Sequence, residues 1–338
     1  MIKSVKFTNY KVLQDATLPL GPLTLIVGPN GSGKSTALQA LARFRSLVDL
    51  PVGQVWSVGY VPRAGSEVAI TVNLAAPHDG LRSFIQWLDT QSAVSQNAGP
   101  HAGGLSNENE QALNAELNGV RLYALDAHLI GAAVDIRPAD QLESSGHRLA
   151  GVLDVLHSQE PERFAALNAE LARWIPEFDQ ILLETPMPGQ KAVVLRTKEG
   201  RHRIPATQLS QGTLLALALL TLAHIPNPPT VLCLEEPDRG LHPRLLRDVY
   251  DALIRLSSPD SAKEGRRPVQ VIATTHSPYF LDLFRDHPED VVISEKDGLF
   301  ARFERLTDRK DVGEIIGSAP LGDVWYSGVL GGVPNRDR

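Results

Sequence analysis

The sequence predicts an α/β fold built on a parallel sheet, and three observations support this prediction. Apolar runs of strand length alternate with longer segments whose apolar residues recur at helical spacing. The run Leu23–Val27 is apolar throughout, as in a strand that is buried on both faces. A glycine-rich turn follows this run at once, and helix-like sequence then extends over 36–47. This order of strand, turn and helix is typical of parallel α/β sheets.

Composition limits the class of protein. The chain has 338 residues, of which 43% are hydrophobic and 21% charged, and this indicates a soluble globular protein with a sizeable core. Its single cysteine, Cys233, excludes an intramolecular disulfide and a thiolate metal cluster. The N-terminus has no signal-peptide core, and the most apolar stretch, 214–223, is too short to span a bilayer. We therefore expect a cytoplasmic protein without a membrane partner.

Periodicity and composition predict the remaining elements. Strand-like runs cover 2–7, 54–61, 67–74, 181–184, 192–196, 230–234 and 269–273. Helix-like segments cover 145–174, 214–224 and 243–256. The dipeptide Pro188-Gly189 lies between two of the strand-like runs and predicts a β-hairpin. The segment 89–119 is rich in Ser, Asn, Gln, Ala and Gly, and we expect a mobile loop or an insertion there.

The first chemistry-bearing motif is the glycine-rich segment 28–36, which has the Walker A pattern. Its glycines let backbone amides approach phosphate oxygens, and the following helix directs its positive end at the same charge. Lys34 supplies a cation to the β and γ phosphates, and the hydroxyl of Ser35 is placed to bind Mg²⁺. The predicted ATP-binding residues are Asn30, Gly31, Ser32, Gly33, Lys34, Ser35 and Thr36.

The second motif is acidic. Four apolar residues over 231–234 precede Glu235 and Glu236, which is the Walker B arrangement of a buried strand that carries carboxylates to the sheet edge. We expect Glu235 to act as a metal-shell ligand and Glu236 to orient or deprotonate the attacking water. The alternative is a pair of exposed acids at a strand end, and the upstream Walker A motif favours the catalytic interpretation.

Two further motifs are weaker when taken alone. Ser210, Gln211 and Gly212 stand directly before an apolar helix, where Ser210 would cap the helix and Gly212 would leave room for another group. His276 follows the strand-like run 269–273. By themselves these features describe an ordinary helix start and a structural histidine.

The four motifs in this order resemble the ABC-type ATPase superfamily. Four segments restrict the resemblance to a smaller group within this superfamily. They are Glu-Glu-Pro at 235–237, Gly-Leu-His-Pro at 240–243, Thr-Thr-His-Ser-Pro at 274–278 and the closing segment 321–328. This wording is similar to that of predicted bacterial AAA-family ATPases, which are relatives of the SMC, RecF and OLD proteins. The resemblance covers both ends of the chain well and 51–204 only weakly.

The resemblance implies a P-loop NTPase fold of the ABC-head type, with a mixed β-sheet lobe, a RecA-like core and a helical lobe. A single head would span 1–338. Within it, 1–50 and 205–338 would form the nucleotide-binding core, and 51–204 would form an inserted helical and β lobe.

The resemblance also implies that ATP lies between two head-to-tail subunits. The signature residues Ser210, Gln211 and Gly212 of one subunit would complete the site that contains Lys34 of the other, with His276 sensing the γ-phosphate. The segment 238–240 would lie at the seam as the D-loop. Two departures from the common pattern are Glu235, where many members have Asp, and the signature wording at Gln211 and Thr213. Gln141 is one candidate for the Q-loop, and Tyr10 is the nearest candidate for stacking on adenine.

Absences in the sequence separate several classes of ATPase. A transporter nucleotide-binding subunit would typically have a more standard signature and a shorter interval between Ser35 and Leu209. SMC and zinc-hook proteins need long heptad segments, which the sequence lacks. An OLD-type nuclease needs an acidic Toprim cluster after His276, and we expect none because the chain ends too soon.

A free-standing ATPase head is therefore expected, using ATP and Mg²⁺ as a switch in DNA repair, DNA surveillance or anti-phage defence. Its partners would be a second copy of the chain, a separately encoded effector such as a nuclease, and DNA. Two alternatives are an ATP-sensing regulatory module with negligible turnover and a transporter subunit. The segment 89–119 and the apolar tail around Trp325 and Tyr326 would be either parts of a larger lobe or docking surfaces.

Overall fold

The computed structural model describes residues 1–49, 68–87, 93–98, 106–137, 139, 141–258, 267–298 and 300–331. The strands are β1 Ile2–Tyr10, β2 Leu13–Pro19, β3 Leu23–Val27, β4 Val68–Leu74, β5 Arg82–Trp87, β6 Ala93–Ala98, β7 Val120–Tyr123, β8 Val134–Asp135, β9 Phe178–Glu184, β10 Gln190–Thr197, β11 Arg203–Pro205, β12 Val231–Glu235, β13 Gln270–Thr275, β14 Val291–Asp297 and β15 Phe300–Arg305. The helices are α1 Lys34–Ala42, α2 Asn107–Asn118, α3 Ala127–Ile130, α4 Leu149–Gln159, α5 Pro161–Trp174, α6 Gln211–His224, α7 Pro243–Ser257, α8 Pro278–Asp282, α9 Val312–Ser318 and α10 Leu321–Tyr326. In the described part of the chain, no helix combines the length and apolarity needed to cross a membrane.

The predicted α/β class is confirmed, and the sheet that contains β3 is mixed rather than wholly parallel. Its strand order is β15-β14-β3-β13-β12-β7. Strand β3 pairs in parallel with β13 and β14, whereas β15 pairs antiparallel with β14. All five residues of β3 and all six of β13 are buried, which agrees with a strand covered on both faces.

Two smaller sheets complete the fold. One has the order β2-β1-β4-β5-β6, and its neighbouring strands pair antiparallel. The other has the order β11-β10-β8, with β9 also paired to β10. The β9–β10 hairpin turns at Gly189, whose φ of 82° suits glycine, and this confirms the hairpin predicted from Pro188-Gly189.

The chain forms two compact units. Unit 1 contains 1–122, 230–233 and 257–338, and unit 2 contains 123–229 and 234–256. The assignment of 1–50 and 205–338 to the nucleotide-binding core stays a prediction. The two compact units, however, do not divide at 51 and 205. The reason is that β4, β5 and β6 pair with β1 and β2 in one sheet, so that they belong to unit 1.

Part of the segment expected to be a mobile loop is regular structure, which corrects the sequence-based expectation for 89–119. Residues 93–98 form β6, and 107–118 form α2. The hydroxyl of Ser106 caps α2 by accepting the amide of Asn109 at 3.3 Å. Leu113 and Leu117, four residues apart, are buried in the unit 1 core. The rest of this segment, 89–92 and 99–105, and the strand-like run 54–61 lie outside the described residues.

The ring of Tyr10 belongs to the core of unit 1 and is not available to stack on adenine, so the suggested role of this residue is wrong. Tyr10 is the last residue of β1 and is buried, as are Ile2, Val5 and Phe7. Its ring centroid lies 6.0 Å from that of Phe7 and 6.5 Å from that of Trp87. Burial raises the pKa of the Tyr10 phenol to about 12.

Candidate nucleotide-binding site

The phosphate loop joins β3 to α1 in unit 1. The Nζ atom of Lys34 donates hydrogen bonds to the carbonyl oxygens of Gly28 at 2.7 Å and Pro29 at 2.8 Å. Only 6% of Lys34 is exposed. The backbone of the loop therefore holds the ammonium group. To reach a phosphate, the ammonium group must give up part of these hydrogen bonds.

Two glycines of the loop are required by their surroundings. A Cβ atom on Gly28 would lie 2.1 Å from the carbonyl oxygen of Ser294, which no side chain tolerates. Gly33 has φ of 86° and precedes α1 without a side-chain cap, and a Cβ there would lie 2.7 Å from Leu13. Because no side chain caps α1, its first amides remain available to an anion.

Ser294 on β14 supports the loop from below, and sequence reasoning missed it. Its buried hydroxyl donates to the carbonyl oxygen of Ser32 at 2.6 Å. A polar residue after the apolar run 291–293 is the only sequence signal. The parallel pairing of β14 with β3 brings the two residues together across 262 positions of chain.

The remaining loop residues present polar groups to solvent. Asn30, Gly31 and Ser35 are exposed, and Thr36 is half-buried. Ser32 is buried, and its hydroxyl has no hydrogen-bond partner among the described residues. Buried ammonium, uncapped amides and exposed hydroxyls together suit a triphosphate.

His276 leaves the sheet at the same edge as the phosphate loop. It follows β13, whose last residue, Thr275, stands opposite Val27 at the end of β3. The strands run parallel, so His276 and Gly28 begin their loops side by side. His276 is half-buried, and the next residue, Ser277, caps α8 by accepting the amide of Phe280 at 3.2 Å.

The acidic motif ends β12, the strand next to β13. Glu235 is half-buried, and its Oε1 atom is inaccessible and lacks a hydrogen-bond partner among the described residues. A buried carboxylate oxygen of this kind needs a cation, so Glu235 fits a divalent metal ion.

Glu236 has an unusual backbone. Its φ of 46° lies in the left-handed region, and it precedes Pro237, which makes this conformation still less favourable for a non-glycine residue. Such strain typically costs about 1–3 kcal/mol. The Glu236 carbonyl accepts the amide of Arg239 at 3.0 Å, and the Arg239 guanidinium lies 4.0 Å from the Glu236 carboxylate. The turn thus fixes the backbone of Glu236, and Arg239 lies near its carboxylate.

The signature residues begin α6 in unit 2. As predicted, Ser210 caps this helix, because its hydroxyl accepts the amide of Thr213 at 3.1 Å. The predicted close approach at Gly212 is also present, since a Cβ there would lie 2.9 Å from the carbonyl oxygen of Gly240. The signature helix and the predicted D-loop are therefore in direct backbone contact within unit 2. Ser210 and Gln211 are exposed.

A cavity of about 600 Å³ opens beside the signature residues in unit 2. Its lining residues come from the end of α5, the start of α6 and the start of α7, and they are Trp174, Ile175, Pro176, Glu177, Ser210, Gln211, Gly212, Thr213, Gly240, His242, Arg244 and Leu245.

A buried ion cluster fixes the opposite end of the signature helix, and sequence reasoning missed it as well. The carboxylate of Glu170 on α5 contacts Nε2 of His224 at 2.7 Å and accepts from Arg255 at 2.9 and 3.0 Å. Burial by itself raises the pKa of Glu170, but hydrogen bonds from His224 and Arg255 outweigh it and hold the pKa at about 2. One carboxylate thereby ties α6 and α7 to α5.

The structure distributes the expected site residues over the two units. Lys34, its loop and His276 belong to unit 1, whereas Glu235, Glu236 and the signature residues belong to unit 2. Gln141 is half-buried in unit 2, between α3 and α4, and its assignment to the Q-loop stays a prediction.

Two family models match this chain, one over its N-terminal residues and the other over its middle. The model described as "AAA domain, putative AbiEii toxin, Type IV TA system" matches residues 77–282, and the model described as "AAA ATPase domain" matches residues 1–69. Among curated proteins, the chain is 24% identical over 348 aligned positions to the OLD nuclease of Thermus scotoductus. That match covers 88% of this chain and 63% of the nuclease, so the chain spans about three fifths of its relative's length.

Two solved structures share the fold. An SMC head bound to the C-winged helix domain of ScpA has a TM-score of 0.60 and 15% identity, covering 90% of this chain and 96% of that one. The SMC head domain from Thermotoga maritima has a TM-score of 0.50 and 14% identity, covering 90% and 98% respectively. The first family model covers more than half of the chain. The chain therefore belongs to that AAA-domain family, and it is an ATP-hydrolysing P-loop enzyme that is similar in sequence to an OLD nuclease and shares its fold with SMC heads.

Proposed function

We propose that this ATPase is a switch in which ATP closes a head-to-tail homodimer and hydrolysis reopens it. One observation carries the proposal. Ser210, Gln211 and Gly212 stand at an exposed helix start in unit 2, packed directly against the turn that holds Glu236. An exposed helix start is suited to a phosphate supplied by another molecule.

Each site residue has a role in this scheme. Lys34 and the amides of 30–36 bind the triphosphate, and His276 contacts the γ-phosphate. Ser35 and Glu235 would hold Mg²⁺, which neutralises charge on the β- and γ-phosphate oxygens. Glu236 accepts a proton from the attacking water, and a positioned base is typically worth about 10² to 10⁴ in rate. The signature residues of the second copy complete the site.

The biological setting is proposed from the relatives. An ATP-driven dimer is a two-state element that reports nucleotide state to a partner. A relative named as a nuclease and the SMC heads of similar fold support a setting in DNA repair, DNA surveillance or anti-phage defence. In this setting a separately encoded effector, such as a nuclease, would act on DNA when the dimer closes.

Glu236→Gln tests the switch. With ATP and Mg²⁺, we expect this variant to bind nucleotide, to release phosphate about 10² to 10⁴ times more slowly than the wild type, and to accumulate as a dimer in size-exclusion chromatography with light scattering. Lys34→Ala is the matched control and should stay monomeric because it does not hold the triphosphate.

Three outcomes would contradict parts of the proposal. Unchanged phosphate release in Glu236→Gln would mean that the base is assigned wrongly. A monomer at saturating ATP would exclude the dimer switch. Negligible turnover by the wild type itself, with tight ATP binding, would favour a regulatory ATP sensor instead.

The effector can be sought with the same variant. ATP-locked Glu236→Gln, immobilised beside Lys34→Ala, should retain a partner protein or a DNA duplex that the control does not retain. Equal retention by both variants would argue against a nucleotide-dependent partner.

A further inference from the structure

Tyr279 on α8 is an exposed aromatic side chain in the immediate neighbourhood of the switch histidine. It lies three residues after His276, and 68% of it is exposed. The two residues that follow it, Phe280 and Leu281, are fully buried. The helix thus exposes the ring of Tyr279 to solvent, while Phe280 and Leu281 anchor the helix in the core. A ring of this size usually gains stability from burial.

The short helix that carries Tyr279 is firmly held within unit 1. Ser277 caps it, and the side chain of Asp282 accepts the amide of Gly322 on α10 at 2.7 Å. A Cβ on Gly322 would lie 2.4 Å from the carbonyl oxygen of Pro278, so the two helices are in backbone contact. Tyr279 is therefore presented from a rigid base, which lowers the entropy cost of binding.

The signature cavity offers a matching surface that a γ-phosphate would not use. Ser210, Gln211 and Gly212 form only one wall of it. The other lining residues include apolar, charged and polar side chains, namely Trp174, Pro176, Leu245, Arg244, His242 and Glu177. A volume of about 600 Å³ is large enough for an aromatic side chain beside a phosphate group.

From these observations we infer that Tyr279 of each copy inserts into the signature cavity of the second copy when ATP closes the dimer. The inference rests on the proposed head-to-tail dimer, in which His276 faces the partner copy's signature residues across the γ-phosphate. Three residues of chain span at most about 10 Å. In the proposed dimer, Tyr279 therefore lies no more than about 10 Å of chain from the residue that faces the partner copy's signature.

The chemistry of the two surfaces is complementary. The Tyr279 ring packs on the apolar wall, Arg244 lies against the ring face as a cation, and Glu177 or His242 accepts the phenol hydrogen. In a two-fold dimer the contact forms twice. Tyr is among the residues that most often dominate an interface when they fill a pocket.

A cysteine cross-link tests this contact directly. The only native cysteine, Cys233, is fully buried, so engineered cysteines react alone. Two Glu236→Gln proteins are prepared, one with Tyr279→Cys and the other with Leu245→Cys, and they are mixed with ATP, Mg²⁺ and copper phenanthroline as oxidant. We expect a disulfide-linked dimer of the two proteins that requires ATP. Each protein alone, and a mixture in which Met187→Cys replaces Leu245→Cys, should give little of it, because Met187 is exposed on the β9–β10 hairpin and outside the cavity.

Dimer affinity provides the second measurement. In the Glu236→Gln background, Tyr279→Ala should raise the dissociation constant of the ATP dimer about 100-fold, from about tenfold for each of two contacts. Tyr279→Phe keeps the ring and should raise the constant clearly less than Tyr279→Ala does, because only the hydrogen bond of each phenol is lost. Nucleotide binding to the monomer should be the same in all three proteins.

The outcomes separate this inference from the proposed function. If the Glu236→Gln parent does not dimerise with ATP, the proposed function fails and the contact fails with it. If the parent dimerises, but Tyr279→Ala dimerises equally well and the cysteine pair does not cross-link, only the Tyr279 contact is overturned.

Discussion

The phosphate loop is enclosed by other residues of the chain, whereas the signature region is exposed to solvent. In the loop, Lys34 is almost fully buried, and Gly28 touches the carbonyl of Ser294. In the signature region, Ser210 and Gln211 are exposed and border a large cavity. From this difference we expect changes in the loop to act on folding and nucleotide affinity, and changes at the signature to act on hydrolysis.

The largest effect should come from Gly28→Ala in the loop. The added methyl group would meet the carbonyl of Ser294, and overpacking of a rigid backbone contact costs about 3 kcal/mol. We expect the free energy of unfolding to fall by this amount in urea titrations, with loss of ATP binding. Gly31→Ala is the matched control, because the nearest atom to its Cβ would be Lys296 Nζ at an ordinary 3.6 Å. Its cost should come from the φ of 75° alone and amount to about 1 kcal/mol. Equal losses in the two variants would show that the contact with Ser294 does not matter.

Gly212→Ala tests the other half of the comparison, the effect of a change in the signature region. Its methyl group would press on the carbonyl of Gly240 and displace the turn that holds Glu236. A displacement of about 1 Å costs about 10²-fold in rate, so we expect single-turnover hydrolysis to fall by this factor. ATP affinity of the monomer should hardly change, and the free energy of unfolding should fall by less than in Gly28→Ala, because the Cβ would lie 2.9 Å rather than 2.1 Å from a carbonyl oxygen. A variant that loses ATP affinity while keeping its hydrolysis rate would reverse the assignment of the two regions.

The smallest effect concerns Glu170 at the far end of the signature helix. Its pKa is depressed to about 2 from an ordinary value of 4.5, so the native state binds this proton less readily than the unfolded state. The stabilisation is therefore complete above pH 4.5 and is lost as the pH falls towards 2. Glu170→Gln should lower the free energy of unfolding by about 2 kcal/mol at pH 7, the scale of hydrogen bonds to a charged group.

The difference between the Glu170→Gln protein and the wild type should shrink steadily between pH 4.5 and pH 2. Asp179→Asn, which removes a half-buried partner of Arg196, is the control and should have a smaller effect at pH 7. A Glu170→Gln loss that stayed constant with pH would mean that packing, rather than charge, accounts for the stabilisation.

Local patterns predicted the elements with strong periodicity or a fixed motif. Strand β3, the loop from Gly28 and the cap at Ser210 depend on residues close in sequence, and all three were predicted. Helix α2 was missed because its polar composition hides the spacing of Leu113 and Leu117. Tyr10 was misassigned because it lies three residues after Phe7, where regular alternation would place the two rings on opposite faces, whereas the irregular backbone at Asn9 lets both join one core.

The sequence by itself determined that the chain carries a phosphate-loop motif, a strand that ends in two acids, a capped helix start at Ser210 and a histidine after β13, since these motifs are short and their chemistry is local. Only the tertiary structure decided what supports them. Ser294 reaches Ser32, Gly240 meets Gly212, and Glu170 joins His224 to Arg255. These contacts link residues 28 to 262 positions apart, and such pairings follow from strand order and helix packing rather than from any local pattern.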